Sequence, residues 1–376
     1  MDIPADHKPP RLRFIDMARS VAILLMLEGH FVDECLMISA RDLDHPAYAI
    51  WTAIRRFTAP MFLTVTGLIF TYLLLRQDEQ PWHRNMRVRK GSRRVLELFF
   101  WGFVVQTYAF HILECIACGL AAILVVYAVH KLLRIVPAWI CFLTSALVLF
   151  SLTPVTREWP LGITWIEQGW WQVISPVLGR EHPTVLFPTV PFVGFTLMGA
   201  AIGCLVRDHR HLIHEWWFPG LFAFVGAALH FGTSPLLAAI DIAAPAGLSL
   251  GSTDWIYERM GMVLMAISLL MFIDYRYGHR IPQDHLFLKV GQNTLVIYIL
   301  HMVVLYGSII SWMPFPTLAL NDLLHHRLGP WQAAVGATLF LAFFVILVRY
   351  LEPIRAQLSR LMLGIKRALG GASQQS

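Results

Sequence analysis

Apolar residues arrive along this chain in long unbroken runs, not as the one-face stripe of a soluble amphipathic helix. A helix rises about 1.5 Å per residue, so a run near 20 residues matches the hydrocarbon core of a bilayer. Ten such runs predict spans at 15–37, 57–75, 93–111, 113–133, 137–153, 186–206, 215–232, 257–275, 288–309 and 331–350. The segment 234–251 reads as a re-entrant or interfacial piece. The first run is too long for a signal-peptide core and has no small-residue cleavage site after it. No soluble domain and no short-period repeat is evident. The expected fold is all-α: a polytopic integral membrane helix bundle of about 10 transmembrane helices, one domain over residues 1–376.

Composition agrees. Hydrophobic residues make up 57% of the chain and charged residues 14%, against about a quarter charged in soluble domains. Mean hydropathy is +0.59. The net charge of +6 would suit nucleic acid in a soluble protein, but in a membrane protein it is read by side. With the N-terminus in the cytoplasm, inside segments hold 21 of the 30 Lys and Arg and outside segments hold seven. That bias predicts an N-in, C-in topology. Five cysteines, Cys35, Cys115, Cys118, Cys141 and Cys204, lie in or beside apolar runs. An odd, scattered set is no disulfide framework, and Cys115 and Cys118, inside a predicted span, read as packing.

Polar residues within the spans carry the candidate chemistry. The first span, "IDMARSVAILLMLEGHF", holds Asp16, Arg19, Glu28 and His30. Eleven residues at 100° each bring Arg19 and His30 onto one face, with a rise of about 16 Å. Asp16 can pair with Arg19 across one turn, and a structural ion pair is the plainer reading of those two. His30 is a candidate proton carrier. Glu28 falls nearly opposite and has no evident role. In "GQNTLVIYILHMVVLYG", Asn293 and His301 lie eight residues apart, placed to reach one cavity or to be satisfied structurally. Gly199 and Gly203 form a small-xxx-small pattern that predicts close helix packing. The clusters His209, His211, His214 and His325, His326 lack the acidic or thiolate partners of a metal site, so no metal is expected.

The outside loops are chemically rich. Residues 38–56 hold Asp42, Asp44 and His45, where a carboxylate could orient the imidazole. Residues 154–185 hold Glu158, Glu167, Glu181, His182 and four tryptophans, which also suit an interfacial belt. On the inside, "RQDEQPWHRNMRVRKGSRR" is densely basic. Topology and anionic lipid explain most of its charge. Arg87, Arg93 and Arg94 are candidates to hold a phosphate-bearing ligand.

These stretches together resemble a family. "RLRFIDMARSVAILLMLEGHF", "DHPAYAIWTAIRRFTAPMFLTVTG", "PTVPFVGFTLMGAAIG" and "GQNTLVIYILHMVVL" are similar, in order, to segments of the transmembrane heparan-α-glucosaminide N-acetyltransferases, bacterial relatives included. Arginine, ten residues, then histidine also resembles the wider acyltransferase-three membrane O-acyltransferases. The resemblance implies an acyltransferase that takes an acyl group, acetyl above all, from cytoplasmic acyl-CoA to a sugar or other hydroxyl or amine acceptor outside. It implies catalytic roles for His45 and His30, and acyl-CoA binding by the basic segment, with Arg19 at the cofactor arm. Asp44, His182, Asn293 and His301 are the expected substrate-binding residues. Two positions depart: Arg19-Ser20 replaces the usual Arg-Gly, and Arg56 stands where an acidic residue is common. The expected setting is a bacterial inner membrane, with lipid, acyl donor and glycan-like acceptor as partners, no nucleic acid, and a homodimer left open. The competing class is a proton-coupled transporter or flippase whose path is the polar line of the first span.

Overall fold

The computed structural model describes residues 12–77, 80–105, 110–134, 136–157, 177–179, 185–243, 253–282, 284–307 and 319–372. The named elements there are all helical; strand-like pairing is confined to the isolated bridges Leu36–Leu328 and Phe110–Val185. The main helices are α1 (Arg13–Cys35), α2 (Pro46–Arg56), α3 (Thr58–Leu74), α4 (Met86–Val105), α5 (Ile112–Leu133) and α6 (Ala138–Ser151). Then follow α7 (Thr189–Asp208), α8 (Trp217–Ala243), α9 (Asp254–Tyr277), α10 (Leu286–Gln292), α11 (Thr294–Tyr306) and α12 (Pro330–Ala372).

Six helices among the described residues are long and apolar enough to cross a membrane, and α10 with α11, bent by 83° at their junction, make a seventh. The predicted first and third spans are helical too, but α1 and α4 are too rich in charge to pass on hydropathy, and α6 has only 14 residues. Large apolar side chains such as Leu132, 82% exposed, and Phe231, 72% exposed, cover the outer surface. Water would penalise that surface, whereas lipid tails do not. The predicted re-entrant piece is different: residues 234–243 simply continue α8 through Pro235, and 244–251 fall outside the described residues.

Between lipid-immersed helices the hydrophobic effect gives little, so close packing must hold them. The helix α7 is the central post, packed against α3, α5 and α6. Its Gly199 faces α3 so closely that a Cβ there would stand 1.9 Å from the Thr64 carbonyl oxygen. Gly67 answers from α3, 1.9 Å from the Thr196 carbonyl by the same measure. The small-residue pattern is therefore a backbone-to-backbone contact.

At its N-terminal end α1 packs on α10. Ser20 Oγ donates to the Asp16 carbonyl (2.9 Å) and accepts the Gly291 N–H (2.8 Å). The serine that departs from the family pattern thus joins the two helices.

Candidate functional site

One face of α1 forms a wall of a 1210 Å³ cavity that runs between helices. Arg19 and Arg94 line it at one end; His30, Asp33 and Glu34 line it further along α1. The helical arithmetic that put Arg19 and His30 on one face describes this wall. At the first end, Arg19 pairs with Asp16 at 3.8 Å and donates to Thr294 Oγ1 at 3.3 Å. Asp16 also accepts from Gln292 Nε2 at 3.1 Å. Both contacts are made by the guanidinium, through Nη1 and Nη2, and the side chain keeps a part-exposed face on the cavity. Arg94 comes from α4, bound to Glu97 at 2.9 Å.

At the other end, His30 Nδ1 lies 3.4 Å from Nε2 of His301 on α11, the rings edge to face. His301 is fully buried; its Nδ1 makes no hydrogen bond of good geometry, though the Ile297 and Tyr298 carbonyls lie beside it. Around this pair stand groups that sequence reasoning missed. Glu34 accepts from the Tyr306 hydroxyl at 3.1 Å and faces His325 at 3.5 Å. Asp33 forms an ion pair with Arg55, which also packs over Trp51. Glu28, without a role in the sequence reading, accepts the Trp51 indole N–H at 2.7 Å. It ties α2 to α1 from outside the cavity lining. One signal for these groups was present: Asp33 and Glu34 follow His30 by three and four residues, the spacing of neighbours on a helix.

His111 also lines the cavity. It caps α5: its side chain accepts the Glu114 backbone N–H, while the Glu114 carboxylate accepts the His111 N–H at 3.0 Å. The Nε2 atom is buried without a partner, so Nδ1 is the accepting nitrogen. An accepting Nδ1 places the proton of a neutral ring on Nε2. His111 sits in the connection before the α5 span, and burial pushes its imidazole down to about 4, so the ring is neutral at ordinary pH. H-x-x-E ahead of an apolar run was the legible signal, a capping box with histidine at its head.

The other expected site residues are dispersed. His45 occupies the N-cap position of α2 without a side-chain capping bond, exposed and outside the cavity lining, and Asp44 beside it is exposed as well. Asp44 donates its own N–H to Asp42 Oδ1 at 2.9 Å, so the carboxylate that turns this loop is Asp42. Arg87 and Arg93 lie on α4 with Arg94 but do not line the cavity. Asn293 sits at the break between α10 and α11, its amide donating to the Lys289 carbonyl at 2.8 Å. Neither Asn293 nor His301 lines the cavity; Thr294, between them, does. His182 lies outside the described residues. Cys115 is buried within α5 as a free thiol.

No curated protein matches the chain. Residues 11–237 match the sequence model of a family described as heparan-alpha-glucosaminide N-acetyltransferase, catalytic. The match takes in α1 through most of α8, and with them Arg19, His30, Arg94 and His111; α9 and α11, which complete the cavity, follow it. Because it covers more than half of the sequence, the chain belongs to the heparan-alpha-glucosaminide N-acetyltransferase catalytic family.

Proposed function

We propose that the chain is an integral membrane acyltransferase that moves an acetyl or similar acyl group from acyl-CoA to a hydroxyl or amine of a glycan-like acceptor. The observation that carries this reading is one cavity with Arg19 and Arg94 at one end and His30 at the other. The Lys and Arg bias makes the arginine end cytoplasmic, in a bundle of about ten helices crossing a bacterial inner membrane. Arginine forks suit the phosphates of coenzyme A, and Arg87 and Arg93 lie on the same helix to extend that surface.

The donor brings an activated acyl carbon; this chain's residues do the rest. Beside the Ile297 and Tyr298 carbonyls, His301 carries its proton on Nδ1, so its Nε2 accepts from His30 Nδ1–H. His30 Nε2 then has its lone pair free for the acceptor proton. As that proton leaves, the acceptor oxygen or nitrogen bonds to the acyl carbon, the carbon–sulfur bond breaks, and the thiolate carries away the electron pair. The proton on His30 passes to the departing thiolate, so atoms and charge balance. The His111 Nε2–H supplies a hydrogen bond to the acyl oxygen as charge builds there. His45 remains at the outer rim, where the acceptor enters.

The test uses purified protein, acetyl-CoA and a panel of amino sugars and sugar alcohols. Acetyl-CoA is expected to raise the melting temperature and to label an acceptor. Arg19→Ala should raise the KM for acetyl-CoA about tenfold, the equivalent of about 1.4 kcal/mol. Neither stabilisation nor transfer across the panel would sink the reading, because a bound donor must stabilise the folded state.

A further inference from the structure

Three arginines from three parts of the chain converge at the His30 end of the cavity. Arg56 ends α2, Arg259 lies on α9, and Arg157 ends the short helix Thr153–Arg157. Arg56 and Arg259 line the cavity. The Arg259 guanidinium lies 4.3 Å from the Trp255 ring centre and that of Arg157 lies 5.7 Å from the same ring. The indole therefore anchors two cations, and the charges that act on Arg259 are Arg56, Arg157 and its chain neighbour Glu258. Among the described residues no ion pair or hydrogen bond engages the head of Arg56 or Arg259. By contrast Arg55, one residue earlier, is neutralised by Asp33.

Like charges held close together repel, and more strongly where a cavity wall excludes water. Arginine forks with free donors bind planar or tetrahedral oxyanions through paired hydrogen bonds. The cation–π contact with Trp255 fixes the Arg259 plane in advance and lowers the ordering cost of binding.

We infer that Arg56 and Arg259, backed by Arg157, form a binding site for an oxyanionic group, a carboxylate, phosphate or sulfate, at the mouth of the cavity nearest His30. The group can come from a soluble acceptor or from a lipid headgroup. If the acyl-transfer reading above holds, a soluble acceptor bound here carries its negative group beside the reacting hydroxyl or amine. The binding site itself does not depend on that reading.

The experiment measures melting temperature for the full chain in phosphatidylcholine nanodiscs, titrated with phosphate, sulfate and citrate against chloride at equal ionic strength. Wild-type protein should show a saturable rise, and the affinity should fall at least tenfold in Arg56→Gln/Arg259→Gln. A second arm replaces part of the lipid with phosphatidylglycerol. A rise confined to that arm and lost in the double variant supports the site and identifies a lipid headgroup as its ligand. No saturable rise in either arm, or an equal rise in the double variant, overturns the proposal. Glutamine keeps the length and polarity of the side chains. Retained acetyl-CoA stabilisation in the double variant shows that it is folded, and acyl transfer to an uncharged sugar with no anion effect would remove this site while leaving the transferase reading intact.

Discussion

His30 Nδ1 and His301 Nε2 stand 3.4 Å apart although 271 residues separate them in sequence. One ring lines the cavity; the other is fully buried behind it. A ring that touches no substrate but fixes the tautomer of one that does is a positioning residue. His301→Ala should therefore lower kcat about 100-fold, within the usual range for losing general-base assistance, with little change in the KM for acyl-CoA. His301→Gln keeps a carbonyl acceptor near His30 Nδ1 and should restore part of the rate. Steady-state acyl transfer by both variants decides it: unchanged kcat in His301→Ala removes the pair from the mechanism.

His30 and His45 separate what the cavity supports from what family resemblance implies. The resemblance gave both a catalytic role; His45 is exposed at the start of α2, outside the cavity lining. His30→Ala should abolish transfer, and His45→Ala should retain at least a tenth of the wild-type rate, a loss below about 1.4 kcal/mol. Both should bind acetyl-CoA. The reverse pattern would assign the chemistry to His45 and require the 38–56 segment to close over the cavity.

Much of this arrangement was legible because a helix converts spacing into direction. The positions of most spans followed from apolar runs, and the shared face of Arg19 and His30 from eleven residues of helix. Asn293, at the 83° break between α10 and α11, takes the structural role left open for it, while Thr294 beside it joins the cavity lining. Apolar length alone announces no break of that kind. Arg55 and Tyr306 were illegible for another reason: their roles come from partners on α1 that distant segments bring to them. The helix α2 itself was hidden inside an apparent loop, since its exposed apolar face and paired arginines suit a membrane edge.

Gly199 offers a test of packing independent of catalysis. A methyl group there would meet the Thr64 carbonyl, a backbone atom that cannot rotate away. Gly199→Ala should destabilise the bundle by about 1–3 kcal/mol, as overpacking does, and Gly199→Leu should prevent recovery of folded protein. Thermal unfolding in detergent, followed by the loss of monodisperse protein, measures this. An unshifted transition in Gly199→Ala would mean that α3 and α7 sit further apart than described.

His111 predicts a pH effect whose sign is set by burial. Its imidazole titrates at about 4 in the folded protein and near 6.5 when unfolded. Between those values the unfolded chain holds a proton that the folded one does not, so stability must fall as pH falls from about 6.5 towards about 4. The slope is at most about 1.4 kcal/mol per pH unit. Above that window the ring is neutral in both states and contributes no pH dependence. His111→Asn retains a short acceptor for the Glu114 N–H but cannot titrate, so its melting temperature should fall less than that of wild type between pH 7 and pH 5. Parallel curves would mean that His111 is not buried neutral. The same neutrality keeps Nε2–H available as a donor at pH 5, so an acid limb in the activity profile should survive in His111→Asn even as kcat drops.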